Sequence, residues 1–395
     1  MALPLPLVPA DPTWKPAILD QSPEQLREWL AERGEPPMRA KQIRRWVLQS
    51  RAEQFEQMTD LPKGLRAELA EHFTVLGTNI DKHLRAQDET HKLLVNLHDG
   101  KQIECVLIQE EDRRTACIST QVGCGMGCVF CASGLNGMAR NLTSGEILEQ
   151  LVRLRNLTPA DARLTHIVVM GMGEPLANLE NLLAALAVAG SPDGLGIGAR
   201  HVTISTVGLP AKIRQLAESG KQYHLAVSLH APNDVLRTEI VPTNAKTGLA
   251  EIMRAADEFF AKTGRQVTYE YVVLGKQNDQ LRHAKQLAGL LKGRKAHVNL
   301  IPWNDVSGLP YKRPLDTDLN GFIEELRRGG VSVKVRKRKG SEIDAACGQL
   351  RRSTEAGKGS GVEEAIGSGT ASVALPEDGI PGGPDPTPVT PNPTQ

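Results

Sequence analysis

The chain is poor in aromatic residues, has no long apolar run and carries almost no net charge. Phe, Trp and Tyr make up only 4% of its 395 residues, which excludes a sheet surface on which several bases stack in a row. No apolar run approaches the ~20 residues that a membrane span requires, so we expect no membrane association. The amino terminus is interrupted by prolines and has no basic leader, so we expect no secretory signal.

The net charge of +1 conceals an uneven distribution. Residues 341–395 contain eight acidic and three basic side chains, which leaves a net charge of +6 on the first 340 residues. This mildly basic body permits a nucleic-acid partner without requiring one.

The six cysteines indicate the redox environment. Without an export signal, we expect reduced thiols in a cytoplasm, used for metal binding or catalysis. A disulfide framework is the alternative.

The chain is long enough for one large domain with a smaller one, or for two domains of moderate size.

The first part of the chain is predicted to be helical. Ser22–Gln25 has the form of a capping box, with Pro23 at the first helical position. Amphipathic patterns follow at residues 40–49 and 63–72. Two strand-like runs then flank Asp99-Gly100, which is a strong hairpin signal. We predict a helical amino-terminal module over residues 1–90 and a linking β-hairpin over 91–114.

From residue 115 the pattern alternates between strands and helices. Six apolar strands predict an α/β fold with a parallel sheet, either doubly wound or curled into a partial barrel. The predicted strands are Thr115–Thr120, His166–Met172, His201–Thr206, Leu225–His230, Val267–Val273 and His297–Ile301. We predict that this domain covers residues 115–352. Residues 353–395 are rich in Gly, Ser and Pro, and we predict that they are disordered.

Three cysteines, Cys124, Cys128 and Cys131, lie on one short loop after the first of these strands. Three closely spaced thiolates favour an iron–sulfur cluster or zinc. A four-iron cluster with three protein ligands keeps one iron open for S-adenosylmethionine. This spacing resembles the signature of the radical S-adenosylmethionine superfamily.

Polar residues occur at the carboxyl ends of the later strands, where functional residues of such sheets are expected. Glycines in 171–175 allow close approach to a ligand, and Gly173-Glu174-Pro175 resembles the superfamily element that binds the amino group of S-adenosylmethionine. Each residue alone is more typical of a structural role. The candidate cofactor-binding residues are Gly173, Glu174, Ser205, Ser228, Leu229, His230 and Asn304.

Three further cysteines lie outside the loop. Cys105 falls in the predicted hairpin and is interpreted as structural. Cys117 lies in the first parallel strand, where an inert buried thiol and a reactive one are equally typical. Cys347 lies in an irregular segment of small residues, which suits a mobile reactive loop.

The motifs together resemble the RlmN family, the bacterial ribosomal RNA adenine carbon-2 methyltransferases of the radical S-adenosylmethionine superfamily. The resemblance extends from about residue 20 to 352 and implies a partial (β/α)6 barrel. Ala132-Ser133-Gly134 departs from the family's usual Ser/Ala-Thr-Gly but keeps the hydroxyl. The motifs lie at residues 113–117, 121–124, 170–175, 228–231, 299–304 and 344–350.

The resemblance implies a [4Fe-4S] cluster on Cys124, Cys128 and Cys131, and two uses of S-adenosylmethionine. One molecule methylates Cys347. A second yields a 5′-deoxyadenosyl radical that activates the S-methyl group, which then adds to carbon 2 of adenine. By analogy Glu104 takes the ring proton, and Cys117 resolves the adduct and forms a disulfide with Cys347. Its own context alone marks Glu104 as an exposed strand residue.

The implied partners are 23S ribosomal RNA, a transfer RNA with an anticodon-loop adenine, and a flavodoxin-type electron donor. The implied protein is a cytoplasmic monomer. Two groups of basic residues are candidate RNA contacts, although such runs are more often solvated faces. They are Arg39, Lys41, Arg44 and Arg45 in the helical module, and Lys334, Arg336, Lys337, Arg338 and Lys339 before Cys347.

Three alternatives remain. The related carbon-8 adenine methyltransferase of the antibiotic-resistance type uses the same cysteine chemistry. A zinc-stabilised RNA-binding protein would have the cysteine loop without the reaction. A glycyl-radical activase would have the cluster, but it needs no pair of thiols such as Cys117 and Cys347.

Overall fold

The fold was analysed in a computed structural model that describes residues 15–350. The predicted tail lies outside these residues. The described helices begin with the predicted capping box, in which Gln25 N–H donates to Ser22 Oγ and Ser22 N–H donates to Gln25 Oε1. In chain order the helices are α1 (Pro23–Ala31), α2 (Met38–Leu48), α3 (Lys63–His72), α4 (Ser144–Asn156), α5 (Leu179–Gly190), α6 (Pro210–Glu218), α7 (Asp234–Ile240), α8 (Asn244–Thr247), α9 (Leu249–Thr263), α10 (Leu281–Leu291) and α11 (Asp316–Arg328).

One ten-stranded sheet and one two-stranded sheet complete the described part. Its strands are β1 (Asn79–Arg85), β2 (His91–Asn96), β3 (Gln102–Glu110), β4 (Arg113–Cys117), β5 (Gln121–Gly123), β6 (Met138–Asn141), β7 (His166–Val169), β8 (Val202–Thr206), β9 (His224–Ser228), β10 (Val267–Val273), β11 (Ala296–Pro302) and β12 (Ser332–Val335). The large sheet has the order β1-β2-β3-β4-β7-β8-β9-β10-β11-β12, and the small sheet pairs β5 with β6.

The first four strands of the large sheet are antiparallel. The predicted turn between β2 and β3 is confirmed: Gly100 has φ +73°, and the N–H of Leu97 donates to the carbonyl of Lys101 at 2.8 Å. The sequence did not indicate β1, because its residues are mainly polar and every one is exposed. This strand forms because β2 supplies its hydrogen-bond partners, so it depends on tertiary contact.

From β4 onwards the sheet is parallel, so β4 and the six strands that follow it form a run of seven parallel strands. Six of them are the predicted ones, and β12 extends the sheet by pairing with β11. The two edges of the large sheet approach each other, since Gly340 N–H, after β12, donates to Asp88 Oδ2, before β2, at 3.1 Å. The sheet is therefore curled, and its edge strands are not paired with each other. This is the expected partial barrel.

The largest hydrophobic core lies between the sheet and the helices around it. Cys105 belongs to this core and is fully buried, which agrees with its interpretation as structural. The opposite face of the parallel strands lines the interior of the barrel and carries polar side chains such as Ser205, Ser228 and Asn299. In residues 15–350 no helix is both long enough and apolar enough to cross a membrane.

Candidate active site

The loop with three cysteines is closed by a short antiparallel pair of strands. Strands β5 and β6 flank it, and Cys124 N–H donates to the carbonyl of Gly137 at 3.0 Å. Gly123 has φ +79°, and a Cβ there would lie 2.0 Å from the Gly137 oxygen, so only glycine fits. Arg140 on β6 holds the loop to the barrel through Asp99 and Glu146, each 2.7 Å away.

Cys124, Cys128 and Cys131 line one cavity with about 950 Å³ of space. Burial raises the pKa of each thiol, that of Cys124 to about 11, and the neighbouring thiols contribute to this in each case. Bound metal would offset this cost by stabilising the thiolates. In residues 15–350 no three His, Cys, Asp or Glu side chains are arranged to hold one metal ion. Thiolates beside one cavity are the soft ligands that an iron–sulfur cluster or zinc accepts.

The Gly-Glu-Pro element lies beside these thiols. Gly173 has φ +103°, and a Cβ there would lie 2.7 Å from the Gln121 side chain. Glu174 is 2% exposed, and its two carboxylate oxygens accept from the backbone N–H groups of Leu176 and Val207. Burial raises the pKa of Glu174, and these two bonds oppose that effect. The Thr206 side chain also hydrogen-bonds this carboxylate, and a carboxylate with three such partners still has acceptor capacity for a ligand amine.

Most of the other predicted cofactor-binding residues line the same cavity. The hydroxyls of Ser205 and Ser228 lie 3.2 Å apart, and Asn304 Nδ2 donates to the carbonyl of Cys347. Leu229 differs: its side chain is fully buried in the core and does not line the cavity. Its N–H donates to the carbonyl of Glu270, so it acts within the sheet.

His230 is held in an unusual backbone conformation with φ +60°. Its Nδ1 accepts from the N–H of Val272 at 3.1 Å, and its ring packs edge-on against Phe130. Burial lowers the pKa of His230 to about 3, and nearby Arg237 adds to this effect. The imidazole is therefore neutral, with its proton on Nε2, because Nδ1 is an acceptor.

Cys347 lies where two cavities meet. It lines the cavity of the three cysteines and also a second, basic cavity with about 1600 Å³ of space. The carbonyl of Gly348 accepts from the N–H of Ala132, which joins the Cys347 segment to the cysteine loop. All the basic residues from Lys334 to Lys339 that the sequence singled out line the second cavity, and Arg336 lines both.

Cys117 is 6% exposed and lies close enough to Cys347 for the two thiols to interact. Burial raises the pKa of Cys117 to about 12, with a further contribution from Cys347, while Arg336 opposes both. In turn, the negative charge of a Cys347 thiolate raises the pKa of Arg336. Both cysteines are free thiols in the structure.

Glu104 is not an exposed strand residue, contrary to what its sequence context indicated. It is 7% exposed, and Lys92 Nζ lies 3.0 Å from its Oε1. The exposed interpretation failed because β3 is an interior strand of the sheet, between β2 and β4, and Lys92 on β2 pairs with the carboxylate. Lys92 Nζ also donates to the carbonyl of Asp344 at 3.2 Å, which joins Glu104 to the Cys347 segment. Glu104 lines neither cavity.

Two buried charged residues near the site were missed. Arg237 is 1% exposed and donates to the carbonyls of Leu229 and Ser228, which fixes the end of β9. Glu270 is 3% exposed and lines both cavities. The sequence contains a signal for Glu270, since a carboxylate within an apolar parallel strand is unusual. It contains none for Arg237.

Comparison with known proteins identifies the family. Residues 17–75 match the ribosomal RNA large subunit methyltransferase N-terminal domain family, and residues 118–288 match the radical SAM superfamily. A protein of Rhodopirellula baltica named "Probable dual-specificity RNA methyltransferase RlmN" is 56% identical over 85% of this chain and 90% of its own length. The chain belongs to the RlmN family.

A second relative and a solved structure agree with this assignment. A Bacillus licheniformis protein with the same name is 46% identical over 86% of this chain and 94% of its own. The crystal structure of a radical SAM methyltransferase from Sphaerobacter thermophilus is 42% identical, with a TM-score of 0.83, and covers 85% of this chain and 99% of that chain. The chain is therefore a radical SAM RNA methyltransferase, whose family implies S-adenosylmethionine and a [4Fe-4S] cluster.

Proposed function

We propose that this RlmN-family enzyme methylates carbon 2 of an adenine in 23S ribosomal RNA, and of an anticodon-loop adenine in transfer RNA, with Cys347 as the methyl carrier. The observation that supports this most directly is the position of Cys347 between a cavity lined by three thiols and a cavity lined by cations. A carrier must face its methyl source on one side and its acceptor on the other.

The first cavity is the proposed cofactor site. Cys124, Cys128 and Cys131 would bind the cluster, one per chain, and the residues predicted to hold S-adenosylmethionine would line the space beside it, with Leu229 contributing backbone only. When bound, the cluster supplies the electron that cleaves S-adenosylmethionine. Gly173 permits close approach, Glu174 accepts from the amino group, and Phe130 and Trp303 add apolar surface to the cavity.

The thiols then act in sequence. Cys347 accepts the methyl group on its sulfur, and the Arg336 guanidinium lines both of the cavities that Cys347 lines. The carbon bridge between Cys347 and the adenine is released when Glu104 takes the ring proton and the Cys117 thiolate attacks the sulfur of Cys347. The sulfur–carbon bond breaks, its electron pair stays on the carbon, and that carbon takes up a proton to become the methyl group. A Cys117–Cys347 disulfide results. Lys92 orients the Glu104 carboxylate from 3.0 Å.

Single substitutions separate the two thiol roles. Cys347→Ala should abolish methylation and leave the iron content unchanged, whereas Cys117→Ala should accumulate a covalent protein–RNA adduct. Cys105→Ala is the matched control, because Cys105 is also a buried thiol and has no role in the proposed reaction. Residual product with Cys347→Ala, or no adduct with Cys117→Ala, would contradict these roles.

Product analysis tests the ring position. Mass spectrometry of digested RNA against 2-methyladenosine and 8-methyladenosine standards should show only the 2-methyl isomer, and the 8-methyl isomer alone would refute the assignment. Anaerobic reconstitution should give brown protein with about four irons per chain. One zinc in a colourless protein would contradict the cluster.

The other expectations stay predictions. They are a cytoplasmic, monomeric enzyme, a flavodoxin-type electron donor, and the four domains at 1–90, 91–114, 115–352 and 353–395.

Three of the basic residues proposed as RNA contacts in the helical module already have partners within the protein. Arg39 and Arg44 already donate to backbone carbonyls of Asp60 and Gln21, and Lys41 lies 2.9 Å from Asp193.

A further inference from the structure

Glu270 is a buried carboxyl group that the proposed reaction leaves without a role. Asn299 Nδ2 donates to its Oε1 at 3.2 Å, whereas its Oε2 is shielded from solvent and has no hydrogen-bond partner among residues 15–350. Leaving a buried polar atom without a partner costs about 1–3 kcal/mol. Such an atom next to a cavity is expected to gain its partner from a ligand.

The position of Glu270 directs it towards both cavities. Ser228, Glu270, Asn299 and Lys334 are in register across β9, β10, β11 and β12, so they form a polar row inside the barrel. Glu270 and Cys347 are both part of the lining that the two cavities share. Burial raises the pKa of Glu270, and the charge of Arg336 opposes this effect without forming an ion pair in the described part of the chain.

The second cavity has the chemistry of a nucleotide site. Its cationic lining consists of Arg113, Arg313, Lys334, Arg336, Lys337, Arg338 and Lys339. Its acidic lining consists of Glu110 and Glu270 alone among the described residues. Cations suit phosphate groups, whereas a carboxylate inside the same cavity needs a hydrogen-bond donor. In a nucleotide that donor is a hydroxyl of the sugar or an amino group of the base.

We propose that the basic cavity receives the target nucleotide and that Glu270 accepts a hydrogen bond from the exocyclic amino group of its adenine. The inference rests on the proposed function, because it takes Cys347 as the carrier. Carbon 2 and the amino group lie on the same edge of adenine, so one edge can face both the Cys347 sulfur and the Glu270 carboxylate. Hypoxanthine has a carbonyl oxygen in place of the amino group, and Glu270 would repel it.

The test compares two RNA stem-loops that carry either adenosine or inosine at the target position. The reconstituted wild-type enzyme should methylate the adenosine RNA preferentially, judged by kcat/KM. In Glu270→Gln the side-chain amide can donate to the hypoxanthine oxygen, so the preference should fall roughly tenfold. Glu270→Ala should also lose preference, because it removes the acceptor. The matched control is Glu251→Gln, a partly exposed carboxyl on α9 that lines neither cavity, and its preference should equal wild type.

Two results would overturn the inference. One is a wild-type enzyme that methylates the adenosine and inosine RNAs equally well. This result alone would overturn the inference, without any variant. The other is an unchanged preference for the adenosine RNA in Glu270→Gln. This result would overturn the inference even if the variant also methylated Cys347 more slowly in the absence of RNA. Slower methylation of Cys347 would assign the carboxylate to S-adenosylmethionine instead. Failure of the proposed function looks different, because wild-type Cys347 would then remain unmethylated in the absence of RNA.

Discussion

Replacing Arg140 with Met should destabilise the base of the cysteine loop. Arg140 makes two hydrogen bonds of 2.7 Å to Glu146 and one of 2.7 Å to Asp99. The carboxylate side chains are only 6% and 4% exposed, and that of Arg140 is 25% exposed. Breaking a buried ion pair from one side costs about 3–5 kcal/mol, because the remaining charge stays buried.

The expected loss lies at the low end of that range, about 3 kcal/mol. Asp99 keeps Lys101 Nζ at 2.8 Å, and Glu146 keeps the N–H of Thr143 at 2.9 Å, so neither carboxylate loses every partner. Urea unfolding of the cluster-free protein, followed by circular dichroism, measures the change as a lower midpoint. Arg254→Met is the control, because Arg254 is 63% exposed in its pair with Glu251 and should cost about 0.5 kcal/mol or less.

The effect should also depend on pH. Burial would raise the pKa of both carboxyls, but hydrogen bonds, chiefly those from Arg140, outweigh it and hold both pKa values below their usual range. A folded-state pKa below the unfolded value contributes stability above about pH 4, and this is lost as pH falls through the folded pKa. The difference between wild type and Arg140→Met should thus be smaller near pH 3 than near pH 7. A loss below about 0.5 kcal/mol, or equal losses at both pH values, would refute the reasoning.

Three further predictions concern the barrel interior. Burial lowers the pKa of His230 to about 3, so as the pH falls the unfolded chain binds a proton at this residue before the folded chain does. Wild-type stability should therefore fall as the pH drops below about 6.5. In His230→Asn the urea midpoint should depend less steeply on pH. Gly171→Ala should lower the free energy of unfolding by about 1–3 kcal/mol, because the added methyl group would lie 2.6 Å from a hydroxyl oxygen and 2.7 Å from a carbonyl oxygen. Gly64→Ala in α3 is the control, since its methyl group would enter open space and should be neutral or stabilising. Lys92→Met should accumulate the covalent protein–RNA adduct, seen on denaturing gels, while Cys347 is methylated at the wild-type rate. Lys82→Met on exposed β1 is the control and should accumulate no adduct. Slower methylation of Cys347 in Lys92→Met would contradict a role limited to Glu104.

The sequence predicted the six parallel strands because their apolar runs are buried between helices and the barrel interior, and this pattern is local. It predicted the cysteine loop and the Gly-Glu-Pro element for the same reason, since their residues are adjacent in the chain. It did not indicate β1, whose polar residues form a strand only beside β2. It also placed Glu104 in solvent, because its burial depends on the pairing of β3 with both β2 and β4 and on the contact with Lys92.

The sequence by itself therefore determined the family, the cysteine ligands proposed for the cluster, and the six parallel strands with helices between them. Only the tertiary structure decided which distant side chains meet. It brings Cys347 within electrostatic reach of Cys117, brings Arg336 within reach of both thiols and of Glu270, and joins Lys92 to both Glu104 and Asp344. Curling of the sheet is the physical reason, because it brings β12 and the segment after it across the barrel towards β2 and β4, more than 200 residues earlier in the chain.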